Sequence, residues 1–85
     1  MRHATEEDLD RLEPLLLELR QLPQLRERKR GSFSRGSRAF LHFHADADDL
    51  YVDVRLEAEL SRMRVTSGED QTLFLSEVRS ALGTA

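Results

Sequence analysis

The chain has 85 residues, no cysteine and a formal net charge of −3, which excludes a disulfide framework, a thiolate metal site and a thiol nucleophile. A chain of this length makes one domain, residues 1–85, burying about 60–65% of its unfolded surface, and so small a core is often supported by association. No apolar run approaches the roughly 20 residues of a membrane span, and Met1 to Glu6 leads into acids rather than an apolar segment, so the expectation is a cytoplasmic protein with no signal peptide and no membrane contact.

The first helix is signalled by Thr5 followed by Asp8, a side-chain oxygen to cap free amides and acids on the positive helix end. Leu9, Leu12, Leu16 and Leu19 form an apolar stripe at spacings of three and four. Pro14 lacks the N–H that would bond to Asp10, so either the helix kinks or a second helix begins with Pro14 in its first turn. Leu15-Leu16-Leu17 makes this part apolar on more than one side, one side for the sheet and another for a partner. The helix ends near Leu22, ahead of Pro23.

A basic block follows. Residues 20–38 hold Arg20, Arg26, Arg28, Lys29, Arg30, Arg35 and Arg38 against Glu27 alone, a balance of +6 between flanks of −4 (residues 1–19, six acids and two bases) and −5 (residues 39–85, nine acids and four bases). Such a block either recognises phosphates or pairs with its acidic flanks. The candidate anion-binding residues are Arg26, Arg28, Lys29, Arg30, Arg35 and Arg38. Net acidity disfavours tight, sequence-independent nucleic-acid binding, which draws on counterion release from many phosphates. Ser32-Phe33-Ser34 reads as a short edge strand and Arg35-Gly36 as a tight turn.

Residues 38 to 56 carry the strongest pattern. Ala39, Leu41, Phe43 and Ala45 alternate with Arg38, Phe40, His42 and His44; beyond an Asp-rich turn, Leu50, Val52, Val54 and Leu56 alternate with Tyr51, Asp53 and Arg55. Period 2 over two runs predicts an antiparallel hairpin with one buried face. Opposed pairs must sum to an odd number. A sum of 95 sets His44 against Tyr51 and His42 against Asp53; a sum of 93 sets His42 against Tyr51. Phe40 and Phe33 fall on the polar side, where the linker, a ligand or a second subunit must cover them.

A third strand, Leu60 to Thr66, turns Met63 and Val65 inward and Arg62 and Arg64 outward. Ser67 and Asp70 then predict a capping box, Phe74, Leu75, Val78, Ala81 and Leu82 line one helical face, and Gly83 stops the helix. The expected fold is α+β in two layers: an N-terminal helix kinked or split at Pro14, a three- to four-stranded antiparallel sheet, and a C-terminal helix.

The open sheet face collects the candidate site: His42, His44, Tyr51, Asp53, Arg55, Arg62 and Arg64. His42 and His44, about 6.5–7 Å apart along one side of a strand, can chelate a metal with Asp53 or Asp46 as third ligand. They can also act as acid and base with Asp53 orienting a ring and arginines stabilising phosphoryl charge, as in small nucleases. The plainer alternative is sheet surface hydrogen-bonded to Asp53 and Tyr51, and on that reading no metal, no cofactor and no catalytic residue is expected.

The opening Arg2-His3-Ala4-Thr5-Glu6-Glu7-Asp8-Leu9 resembles the start of GNAT-superfamily acetyltransferases, but no Gly-containing pyrophosphate loop follows and the chain is too short for that fold. A broader resemblance rests on Ser37-Arg38-Ala39-Phe40-Leu41-His42-Phe43-His44-Ala45-Asp46 with Tyr51-Val52-Asp53-Val54-Arg55-Leu56. Over roughly residues 22–82 this is similar to a small bacterial domain called "luciferase-like", a label that implies no light emission; small YjbR-like domains show a comparable hairpin. The resemblance implies an α+β fold and lends no catalytic residue. The expectation is a small binding or interaction module, not an enzyme, associating with itself as a homodimer or with another protein. A ligand or enzyme site on the open face, and phosphate or nucleic-acid binding through residues 20–38, stand as alternatives.

Overall fold

The structure, a computed structural model, describes residues 1–83. In chain order the elements are β1 (Arg2–His3), α1 (Glu6–Arg11), α2 (Glu13–Arg20), β2 (Leu25–Lys29), β3 (Ser32–Arg35), β4 (Arg38–Asp46), β5 (Asp49–Val54), β6 (Ser61–Arg64) and α3 (Gly68–Ala81). The class is α+β as expected, but the antiparallel sheet has six strands rather than three or four. Its order is β2-β3-β4-β5-β6, and β1 pairs with β4 on the edge that β3 also uses. The helices share one core with one face of this sheet, and no helix among the described residues is long and apolar enough to cross a membrane.

Local chemistry sets the helix limits. The Thr5 hydroxyl accepts from the Asp8 N–H, and the Asp8 carboxylate accepts from the Thr5 N–H at 2.9 Å. Ser67 and Asp70 repeat this reciprocal cap at α3. At Pro14 the chain takes the split option: α1 stops at Leu12, and Pro14 occupies the first turn of α2, where its missing N–H costs nothing. Leu9, Leu12, Leu15, Leu16, Leu19 and Leu22 are all buried, leaving only Leu17 of the leucine run at the surface. On α3, Phe74, Val78 and Leu82 enter the core while Leu75 packs at its margin.

The β4–β5 register follows the 95 sum: Leu41 faces Val54, Phe43 faces Val52 and Ala45 faces Leu50. These residues line the buried face with Phe33, Met63 and Val65. The chain turns through Ala47 and Asp48, with Ala47 at φ +54°, the positive φ that two-residue hairpins demand.

Phe40 and Ala39 depart from the expected alternation. The β3–β4 register moves from Phe33 opposite Leu41 to Ser34 opposite Ala39, so β4 spends an extra residue, Phe40, at a bulge. Parity reverses there. Ala39 turns outward and is exposed, whereas Phe40 enters the core at 3% exposure. Phe33, opposite Leu41 on the inner face, is buried too. Both rings are covered by the chain itself rather than by a second subunit, and of Leu15-Leu16-Leu17 only Leu17 stays at the surface.

Candidate functional site

Among the described residues the helices pack on one sheet face, leaving the second without a helix over it. Two rows of side chains cross it: His3, His44, Tyr51 and Arg64 from β1, β4, β5 and β6, and beside them His42, Asp53 and Arg62 from β4, β5 and β6. The twofold alternation of each strand gives each residue its face, and antiparallel register gives it its neighbours.

Asp53 is the hub. Arg62 grips its carboxylate through two parallel bonds, Nε to Oδ1 at 2.7 Å and Nη2 to Oδ2 at 2.9 Å. Both imidazoles on β4 turn Nε2 toward the same Oδ2, His44 at 3.0 Å and His42 at 3.5 Å. The Arg62 bonds hold the Asp53 carboxyl below the usual carboxylate range, outweighing the opposite push of burial. Burial, then the neighbouring His44, lowers the pKa of His42 and so favours its neutral ring. His44 Nε2 is buried and makes no hydrogen bond: it sits close to Asp53 without the alignment a hydrogen bond needs. His3 stacks on His44 with ring centroids 4.9 Å apart, and His42 meets His44 edge-on at 4.7 Å.

His42, His44, Asp53 and Arg62 are thus brought into contact, with Tyr51 at the next register position. Arg64 and Arg55 are committed elsewhere. Arg64 bonds to Asp49 and Asp70, tying the start of β5 to the α3 cap, and Arg55 donates to the Ala58 carbonyl in the turn beyond β5. Asp46 pairs with Asp49 at the hairpin end, apart from the imidazoles. His3 was not among the residues read from sequence. An extended Arg2-His3 just ahead of the Thr5 cap was the only local hint, and no pattern in two residues says which strand they will join.

The basic block divides. Arg30 is clasped by Glu6, Asp10 and Glu13, and Arg20 by Glu13 and Glu27, so these cations pair with the acidic flank rather than await a ligand. Arg28 donates from Nε to the Ser34 hydroxyl across the β2–β3 hairpin. Arg26, Lys29, Arg35 and Arg38 make no ion pair among the described residues and are exposed.

A cleft of about 430 Å³ opens where β4 changes partner. β3 covers its edge as far as Leu41, β1 takes over at His44, and between them, among the described residues, the one backbone bond is from the Ala4 N–H to the Phe43 carbonyl. Leu9, Phe33, Leu41 and Phe43 give the cleft apolar walls, while His3, His42, Arg28 and Lys29 bring polar and cationic groups to it.

Comparison with family models, with curated proteins and with solved structures finds no match.

Proposed function

We propose that the protein is a small non-catalytic binding module whose ligand sits in the cleft between β1 and the β2–β3 hairpin. The observation that carries this reading is the break in strand pairing along β4, where a cleft floored by apolar side chains at the margin of the core has a mouth set with imidazole and cationic groups. Such sites, concave and mostly apolar with a few placed polar groups, suit small molecules. The chemistry favours a ligand with a short apolar body and an anionic head, the body against Leu41 and Phe43 and the head toward Arg28 and Lys29.

A binding role is favoured over acid–base catalysis by the state of the imidazoles. Both direct Nε2 at Asp53, which Arg62 already engages twice, so neither ring has a carboxylate of its own to orient it as a general base. The test uses octanoate, octyl phosphate and inorganic phosphate in thermal-shift and NMR titrations. Both octyl compounds are expected to raise the melting temperature by mass action and to shift the Leu41 and Phe43 resonances. An equal response to inorganic phosphate would replace the cleft with simple anion capture by the unpaired cations of the hairpin, and no response to any probe would end the reading.

A further inference from the structure

Around Asp53 the two imidazole–carboxylate distances are those of a ligand set. The three donor atoms all lie within 4.8 Å of one another. Bonds of about 2.0–2.1 Å from nitrogen and oxygen to one ion put neighbouring donors some 3.0–3.5 Å apart; the two imidazole–carboxylate separations, 3.0 and 3.5 Å, meet this, while the imidazole–imidazole gap, which extends up to 4.8 Å, closes by a small turn of the half-exposed His42 ring. His44 supplies a second, independent sign: its Nε2 is shut off from solvent, aimed into the cluster and unsatisfied by any hydrogen bond. A buried polar atom without a partner is costly, and a bound cation would satisfy it where Asp53, poorly aligned, does not.

We propose that His42 Nε2, His44 Nε2 and Asp53 Oδ2 form a site for one divalent transition-metal ion, with zinc the ion best suited to two imidazoles and a carboxylate. The sheet preorganises the donors: two come from alternate residues of β4 and the third from directly across on β5. Arg62 acts as the outer support. Its Nε bond to Oδ1 keeps the carboxylate aimed, and Oδ2, which also accepts from Nη2, offers its remaining lone pair to the ion. Three protein donors leave a coordination position open. His3 stacks on the His44 ring and lies outside this donor group. The site stands independently of the cleft ligand, although His42 borders both.

The test is zinc titration of the metal-free full-length chain, followed by calorimetry and by imidazole NMR shifts, with cobalt(II) absorption to report coordination geometry. One equivalent should bind, perturbing His42 and His44 together. His42→Gln and His44→Gln should each weaken binding by about 100-fold or more, at or above the upper end of what loss of an outer partner costs, Asp53→Asn should weaken it at least tenfold, and His3→Gln should leave it unchanged. If His44→Gln fails to fold, His42→Gln decides alone, because that side chain is 32% exposed against 13% for His44 and circular dichroism can verify its fold. The proposal is overturned by a folded protein with no saturable zinc response, by binding that survives His42→Gln, or by binding lost with His3 instead.

Discussion

Gly31, in the turn between β2 and β3, offers a test in which geometry separates two contributions that usually arrive together. Its φ is +81°, and a Cβ there would stand 2.6 Å from Leu9 Cδ2 and 3.4 Å from Cδ1. Gly36, in the next turn, has φ +60° and nothing within 4 Å of the same added atom. Alanine at either position meets left-handed strain of about 1–2 kcal/mol, partly offset by about 0.4–1 kcal/mol from the stiffer unfolded chain. Only Gly31→Ala also drives a methyl into a buried leucine. Leu9 is 6% exposed and part of the core; it also borders the cleft, so its methyl yields only by leaving core contacts, and overpacking adds about 1–3 kcal/mol. The expected losses are therefore about 0–1.6 kcal/mol for Gly36→Ala and about 1–4.6 kcal/mol for Gly31→Ala. Urea denaturation of both variants at pH 7 with unchanged m-values reads the difference directly. In a domain of this size each kcal/mol also moves the melting temperature by about 4–8 °C. Equal destabilisation by the two variants would refute the close packing of the β2–β3 turn on α1, and with it the shape of the cleft wall.

Acidification should destabilise the protein below about pH 4.5, because Glu27, bonded first of all by Arg20, titrates below its ordinary value when folded. A lowered folded pKa contributes stability that is complete above the unfolded value and is lost as pH falls through the folded one, so Arg20→Gln should flatten this acid limb in melting curves taken from pH 7 to pH 3; an unchanged limb would discount the ion pair. Ala47→Gly should raise the denaturation midpoint, since the residue sits at φ +54° and relief of about 1–2 kcal/mol of strain outweighs the entropy of about 0.4–1 kcal/mol that glycine adds to the unfolded chain; a lowered midpoint would contradict the turn geometry.

What could be read from the residues beforehand was whatever a short window specifies. Both capping boxes depend on two side chains three residues apart, and the hairpin of β4 and β5 depends on alternation over fifteen residues or so. Those features appear as expected, with Pro14 resolving into a split between two helices. β2 escaped notice because Leu25 is its one apolar residue: an edge strand can be charged throughout, and that charge discourages further pairing. β1, two residues long, has no periodicity to detect. Phe40 was misplaced because alternation presumes an unbroken ladder, and one extra residue in β4 exchanges inside for outside on its N-terminal side.

The site divides along the same line. Parity put His42, His44, Asp53, Arg62 and Arg64 on the open face, and register made Asp53 the neighbour of His42 and Arg62. Parity says which face a side chain occupies, not which partner it finds. Arg64 and Arg62 lie two residues apart on that face, yet Arg64 reaches back to Asp49 and the α3 cap while Arg62 closes on Asp53. The difference is longitudinal. Arg64 stands beside the hairpin end, where carboxylates cluster, and Arg62 stands beside the one acid in the middle of β5. His3 is the complementary case, a residue with no pattern of its own that reaches the cluster because the chain start fills the edge of β4 beyond β3. The same partner exchange on that edge opens the cleft and brings a third imidazole beside His44. One topological feature thus sets the chemistry of the open face, and it depends on contacts some forty residues apart that no local window records.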